Sequence, residues 1–312
     1  MGKQSKFVWM NGEIVPWGNA TVHVSTETVL RAGNVFEGLR AYPDAAGSDV
    51  NMFRVPEHLR RLRQSMKIMR MTIPYTDEDL TDACIELIRA NGFKGNVHFR
   101  PVVYFGAGEN DAWDPAEIET GAFVLAFERP MSIKVEEGID SCVSSWRRSP
   151  DVAAPSRVKA AGNYHNSRLA KVEARIHGFG SPIMLNERGK VSEGPAAGFF
   201  LVRDGVFITP PVTADILESI TRATLIELIS ERLGLPILER EIDRSELYIC
   251  DEAFFCGSGA EITPVRSIDR YPVGDGKVGE LTRQLQKLYF DIVASRVPQY
   301  RHWLTPVYGS GT

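Results

Sequence analysis

Two dipeptides constrain the fold of this chain more than any other feature. Asn11-Gly12 separates Phe7-Val8-Trp9-Met10 from Glu13-Ile14-Val15, and Asp204-Gly205 separates Phe199–Val202 from Val206–Thr209. Asn-Gly and Asp-Gly accept the positive φ of a two-residue turn, and apolar runs on both sides make each a β-hairpin signal. One lies near the start and one in the second half, so both parts of the chain must contain antiparallel sheet. Val22–Val24, Val35–Tyr42 with Gly38 as an interruption, Val97–Phe105, Phe123–Phe127 and Cys142–Trp146 are further strand candidates, as is a pair formed by Ile183–Asn186 and Lys190–Ser192.

Between these runs the period changes to that of a helix. Glu57–Arg70 carries Leu59, Leu62, Met66 and Met69 on one stripe. Thr76 followed by Asp77, Glu78 and Asp79 starts a second helix, with acids at its positive end. Leu80, Ala83, Cys84, Leu87 and Ile88 form its inner face, and Asn91-Gly92 stops it. Tyr164 to Gly178, Ile220–Leu233 before Gly234, and Val278–Val297 read the same way. Glu128-Arg129-Pro130 marks the end of a first domain. The expected division is 1–128, a linking loop at 129–137, and 138–312. Residues 106–121 read as a long loop of the kind that is often functional.

The 312 residues are 43% hydrophobic and 24% charged, which excludes wholesale disorder. A net charge of −4 gives no basic surface for a nucleic acid or an anionic membrane. No apolar run is long enough to span a bilayer. Met1 to Lys6 is polar, so no signal peptide is expected, and Gly2 with Lys6 misses the myristoylation pattern. Cys84, Cys142, Cys250 and Cys256 form no C-x-x-C pair, so reduced, buried thiols in a cytoplasmic protein are expected, with no metal site.

The stretch from Val158 to Arg168 stands out chemically. Lys159 follows a loop rich in Pro, Ser and Ala, and Ala160-Ala161-Gly162 let the backbone approach another molecule closely. A lysine there suits Schiff-base chemistry with an aldehyde if burial lowers its pKa. Ser219-Ile220-Thr221 opens a helix, where free backbone N–H groups suit a phosphate.

Several short blocks then combine. They are Phe36-Glu37-Gly38-Leu39-Arg40, Glu57-His58-Leu59-Arg60-Arg61-Leu62, Lys159 with Gly162-Asn163-Tyr164, Ser192-Glu193-Gly194, Ile220-Thr221-Arg222, and the run from Gly257 to Val265. In identity, order and spacing the chain resembles the class IV aminotransferases, and the branched-chain aminotransferases most of all. The resemblance runs from about Val8 to the C-terminal helix. It implies an α+β, two-domain fold of type IV, pyridoxal 5'-phosphate as cofactor, and a homodimer. By the same resemblance Lys159 is the Schiff-base lysine and Arg61 a phosphate ligand. Tyr164 belongs beside the cofactor's phenolic oxygen and Glu193 at its pyridine nitrogen. Ile220, Thr221 and Ser258 match phosphate contacts, while Phe36, Gly38, Arg40, Gly259 and Ala260 match substrate positions.

Departures from the family cluster on the substrate side. Arg31 stands where an aromatic is usual, His98 where a tyrosine precedes the matching Arg100, and Arg129 where another tyrosine is offered. Pro195-Ala196-Ala197-Gly198 replaces an Asn-containing run, and Ser219 replaces a glycine. Arg31, His98 and Arg100 suit a carboxylate or another polar group better than a leucine side chain. The expected activity is transfer of an amino group between an amino acid or amine and a 2-oxo acid such as 2-oxoglutarate, whose distal carboxylate falls to Arg100. The alternatives on the same fold are an amine or D-amino acid transaminase and an aminodeoxychorismate-type lyase. A cofactor-binding protein without turnover is opposed by Lys159 and Glu193. An NAD enzyme is opposed by the lack of a G-x-G-x-x-G run.

Overall fold

Asn11 and Gly12 take φ of 49° and 99°, and the strands they join pair antiparallel, β1 (Phe7–Met10) with β2 (Glu13–Pro16). This hairpin edges the sheet of the first of two units in the computed structural model, which describes residues 5–108 and 113–309. The polar start from Met1 to Gln4 and part of the expected 106–121 loop lie outside the described residues. Contacts divide the chain into one unit of Met1–Pro130, Val158–Gly162 and Asp291–Thr312, and another of Met131–Arg157 and Asn163–Phe290.

In the first unit the chain continues through α1 (Glu27–Arg31), β3 (Asn34–Phe36), β4 (Leu39–Pro43), β5 (Val50–Phe53), α2 (Val55–Ile68), α3 (Asp77–Asn91), β6 (Val97–Gly108) and β7 (Ile118–Glu128). The sheet order is β2-β1-β7-β6-β4-β5, with Leu304–Pro306 added beyond β5 and β3 paired to β6. Strand residues alternate between faces. Leu39, Ala41, Val97, Phe99, Val124 and Ala126 share the face that forms a core with Leu59, Leu62 and Met66 of α2 and with Leu80, Leu87 and Ile88 of α3. The opposite face carries Arg40, His98, Arg100 and Phe127 in register. The α3 cap is the expected one, with Thr76 and Asp79 forming a capping box and Gly92 at φ 66° ending the helix.

The second unit contains α4 (Ile133–Glu137), β8 (Ile139–Val143), α5 (Tyr164–Ile176), β9 (Ser181–Ile183), β10 (Gly198–Arg203), β11 (Val206–Thr209), α6 (Ile220–Leu228), β12 (Ile237–Glu239), β13 (Glu252–Gly257), β14 (Glu261–Ile268), β15 (Tyr271–Pro272) and most of α7 (Glu280–Val293). Its sheet order is β9-β8-β14-β13-β10-β11-β12, with β15 on β14. Asp204 and Gly205 form the second hairpin turn, at φ 51° and 75°. Phe199, Leu201, Phe255 and Val265 lead the core of this unit.

Three local expectations need correction. Val22–Val24 is not a strand, because Val22 and Val24 are exposed and find no sheet partner. Ile183–Asn186 and Lys190–Ser192 do pair as a hairpin around Gly189, bridging Leu185 to Val191 with the Asn186 N–H on the Lys190 carbonyl and the Ser192 N–H on the Met184 carbonyl, but only Ser181–Ile183 is a regular strand. A short helix, α4, occupies part of the stretch read as a loop. The apolar positions of α5 also behave unexpectedly. Leu169, Val172 and Ile176 are exposed, and the helix packs through Ser167, Ala170 and Ala174.

Candidate active site

Lys159 lies in a segment that the first unit grips by its backbone. Its N–H donates to Ser65 Oγ at 3.1 Å, its carbonyl accepts the Phe36 N–H at 3.0 Å, and Ala160 makes a bridge to Val35. The side chain is half-buried, with Nζ 4.9 Å from the centre of the Phe36 ring. These three contacts, on two successive residues, fix the backbone that carries the lysine stem.

Beside it lies a buried charge cluster. Glu37 is fully buried at the break between β3 and β4. Arg61 donates to it twice, from Nε to Oε1 at 2.7 Å and from Nη2 to Oε2 at 2.8 Å. His58 Nδ1 lies 2.7 Å from Oε2, and a carboxylate accepts there only if that nitrogen carries the proton. His58 and Arg61 stand three apart on α2, so both reach one point. Burial works against the Glu37 charge, but the Arg61 guanidinium and hydrogen bonds from Arg61 and His58 prevail and hold the carboxyl well below the usual range. Burial is also the main force lowering His58, against the pull of Glu37.

The face opposite the core is the positive one. Arg40 and His98 are buried and adjacent in register, and Arg100 lies two residues beyond His98. The His98 ring packs against Phe127 with centroids 5.2 Å apart. Burial first, then Arg100, Arg129, Arg40 and Lys159, push His98 down to about 3. Arg100 also lies over the Phe36 ring, at 4.9 Å. Gly38 sits against the His98 ring edge. Arg31 is not drawn to this face. It is exposed, ion-paired with Glu27 one turn back on α1, and lies 4.9 Å over Trp113. The Arg129 side chain is exposed, although its charge reaches His98.

The second unit holds the other candidates. Glu193 is buried, with Oε1 3.0 Å from Arg148 Nη2 and accepting the Leu217 N–H at 3.2 Å. Arg148 is itself buried, its backbone N–H donating to Leu185 and its guanidinium reaching Ser167 Oγ and the Asp215 carbonyl, each at 3.4 Å. A side chain on Gly194 would come within 2.8 Å of the Phe255 ring, so the residue after Glu193 must be glycine for this packing. At the start of α6, Ser219 Oγ accepts the Arg222 N–H at 3.2 Å. That cap satisfies one end donor, while the N–H groups of Ile220 and Thr221 lie in the first turn, where a helix supplies no acceptor. Thr221 is buried. Ser258, Gly259 and Ala260 form the turn between β13 and β14, where the Ala260 carbonyl accepts from Thr263 Oγ1 at 2.6 Å. Tyr164 is half-buried at the first position of α5.

Glu37, His58, Ser65 and Arg148 were not singled out by sequence reasoning. Glu37 and His58 lie inside quoted blocks, but their pairing spans 21 residues and has no local signature. Arg148 resembles Arg147 beside it in sequence, and only the fold separates the buried one from the exposed one. Among the described residues, no cluster of His, Cys, Asp and Glu is suited to a metal, and no helix is long and apolar enough to cross a membrane.

Residues 34–268 match the family described as amino-transferase class IV. The chain is 38% identical over 98% of both chains to the branched-chain-amino-acid aminotransferase of Salmonella typhimurium. Among solved structures it is similar to the branched-chain amino acid aminotransferase of Thermobaculum terrenum in its PLP form, at 42% identity and a TM-score of 0.92, covering 98% of this chain and 99% of that one. It is similar also to the branched-chain aminotransferase of Thermoproteus uzoniensis with norvaline, at 41% identity and a TM-score of 0.91, covering 97% and 100%. The chain belongs to the class IV aminotransferases, which are pyridoxal-phosphate enzymes of the α+β type IV fold. Within that class its likeness is to the branched-chain aminotransferases.

Two outcomes follow from the buried charges. Glu37→Gln leaves Arg61 without its counter-ion and should lower stability by about 3–5 kcal/mol in urea unfolding at pH 7. On the acid side, Glu37, His58 and His98 all have folded-state pKa values below their ordinary ones. The unfolded chain therefore binds more protons, and stability present at neutral pH is lost as pH falls. For His98 the window runs from its ordinary 6.5 down to about 3. His98→Phe should flatten the loss of stability between pH 6 and pH 4 by up to about 1.4 kcal/mol per pH unit, read from urea titrations at each pH.

Proposed function

We propose that this chain is a pyridoxal-phosphate-dependent aminotransferase that moves an amino group between an amino acid and a 2-oxo acid such as 2-oxoglutarate. The observation that carries the reading is Lys159: an amine on a stem whose backbone is held on both sides, beside Phe36 and the Glu37–Arg61 pair, in a class IV chain.

The donor set fits the cofactor group by group. When bound, pyridoxal phosphate supplies an aldehyde carbon and a ring that takes up charge from the substrate's α-carbon. Lys159 would hold the aldehyde carbon, and its amine would move a proton at the substrate's α-carbon. Glu193, held in place by Arg148, would lie at the ring nitrogen and favour its protonated form. The Ile220 and Thr221 N–H groups, the Ser258 hydroxyl and Arg61 would hold the phosphate. Tyr164 would donate toward the phenolic oxygen. Phe36, Gly38, Arg40, Gly259 and Ala260 line the substrate's place, and Arg100 takes the distal carboxylate of 2-oxoglutarate. The relatives named for branched-chain amino acids, and the one solved with norvaline, support aliphatic amino acids as donors. The exposed apolar stripe of α5 supports a homodimer, and four free buried cysteines support a cytoplasmic setting.

Borohydride reduction of the cofactor-loaded protein, followed by peptide mapping, should place the added mass on Lys159. Lys159→Ala should bind some cofactor without covalent trapping and lose transamination by at least about 10³-fold. An adduct on another lysine, or full turnover by the Ala variant, would refute the reading.

A further inference from the structure

Arg54 alone separates β5, which ends at Phe53, from α2, which begins at Val55. It makes that joint in the left-handed region, at φ 56° and ψ 40°, where a residue with a side chain is uncommon. One residue therefore turns the strand into the helix, and its carbonyl accepts the His58 N–H at 3.2 Å in the first turn. The joint is clamped by the far end of the chain. The Arg54 N–H donates to the Trp303 carbonyl at 2.8 Å, and the guanidinium lies 3.7 Å over the Trp303 ring. Of the aromatic faces, indole attracts a cation most strongly. Arg54 Nη1 also donates to Glu57 Oε1 at 2.8 Å, so the same side chain reaches into α2. Trp303 is buried and packs on Phe53 and Tyr300, with ring centroids 6.0 Å and 4.2 Å away. Beyond it Leu304 pairs with Phe53, and the Asp49 carboxylate accepts the N–H groups of Tyr308 and Gly309, each at 2.6 Å. The clamp is thus anchored on both sides of Trp303.

The helix entered through this joint carries His58, Arg61 and Ser65 on its polar stripe. At 1.5 Å per residue Arg61 stands about 10 Å along the helix, so a tilt of about 5° at the joint moves it by roughly 1 Å. An error of about 1 Å in a positioned group costs on the order of 10²-fold. Glu37 holds the rotation of α2, and the joint holds its tilt. We propose that Arg54, clamped by Trp303, is a positioning residue for the phosphate site, holding α2 at the tilt at which Arg61 meets the phosphate. The inference rests on the aminotransferase reading, because that reading gives Arg61 the phosphate. The C-terminal segment thereby acts on cofactor binding through a helix that it does not belong to.

The test titrates the full chain, stripped of cofactor, with pyridoxal phosphate and with pyridoxal, which has the aldehyde and the ring but no phosphate. Dissociation constants are read from the absorbance of the bound ligand. Arg54→Gly accepts φ 56° without strain, so the joint still forms, but the clamp is lost. It should weaken pyridoxal phosphate by about 10-fold or more and leave pyridoxal within about twofold. Trp303→Leu should do the same, while Trp303→Phe, which keeps an aromatic face under the guanidinium, should stay within about threefold of wild type. If Trp303→Leu does not fold by circular dichroism, Arg54→Gly decides alone. A role in stability without positioning would move both ligands alike or neither, and either result with Arg54→Gly would overturn the proposal. A Trp303→Phe variant as weak as a folded Trp303→Leu would overturn it too. A wild type that binds pyridoxal phosphate no better than pyridoxal would remove the phosphate role of Arg61 and this inference with it. A wild type that neither traps cofactor at Lys159 nor transaminates would overturn the functional reading itself.

Discussion

A carboxylate buried away from water is the constraint on which the rest of the first unit depends. Glu37 sits fully buried between the ends of β3 and β4, and a charge there is tolerable only because three N–H groups converge on it. Those donors come from His58 and Arg61, and Ser65 lies one further turn along the same helix. Positions 58, 61 and 65 form one stripe of α2, adjacent to the stripe of Leu59, Leu62 and Met66 that enters the core. One helix thus fixes the arginine proposed for the phosphate and, through Ser65, the backbone of Lys159. The hydrophobic face sets the helix against the sheet, and the polar stripe sets its rotation. Neither could be shifted without leaving Glu37 unpaired.

The second unit uses the same device with one arginine. Arg148 holds the Glu193 carboxylate, and its own position is set by bonds to Leu185, Ser167 and Asp215. Both acids are thereby paired with a buried arginine. The consequence differs: Glu37 is used up in orienting Arg61, while Glu193 accepts from Leu217 as well and holds its charge at a fixed place.

Turns and caps were legible in the sequence because their chemistry is local. Asn11-Gly12, Asp204-Gly205 and the Thr76–Asp79 box each need only a few neighbouring residues to declare themselves. The cofactor residues were legible for a different reason, since their blocks keep the order and spacing of a known family. What escaped was pairing at long range and the side on which a residue falls. Arg31 ends a short exposed helix beside Glu27, while His98 lies in the middle of a sheet, a difference that no local pattern in the sequence carries. The α5 stripe showed helical period without telling which face packs. Small residues, Ala170 and Ala174, make the contact, and the large apolar ones are exposed.

The central claim is that Lys159 and the groups fixed around it run a transamination in two halves. Stopped-flow absorbance of the loaded enzyme tests this most directly. Mixing with an L-amino acid alone should convert the aldehyde form of the cofactor to the amine form in a single turnover, with release of one 2-oxo acid, and adding 2-oxoglutarate should restore the starting spectrum. A loaded enzyme whose spectrum no amino acid alters, although its cofactor is trapped at Lys159 by borohydride, would contradict the account.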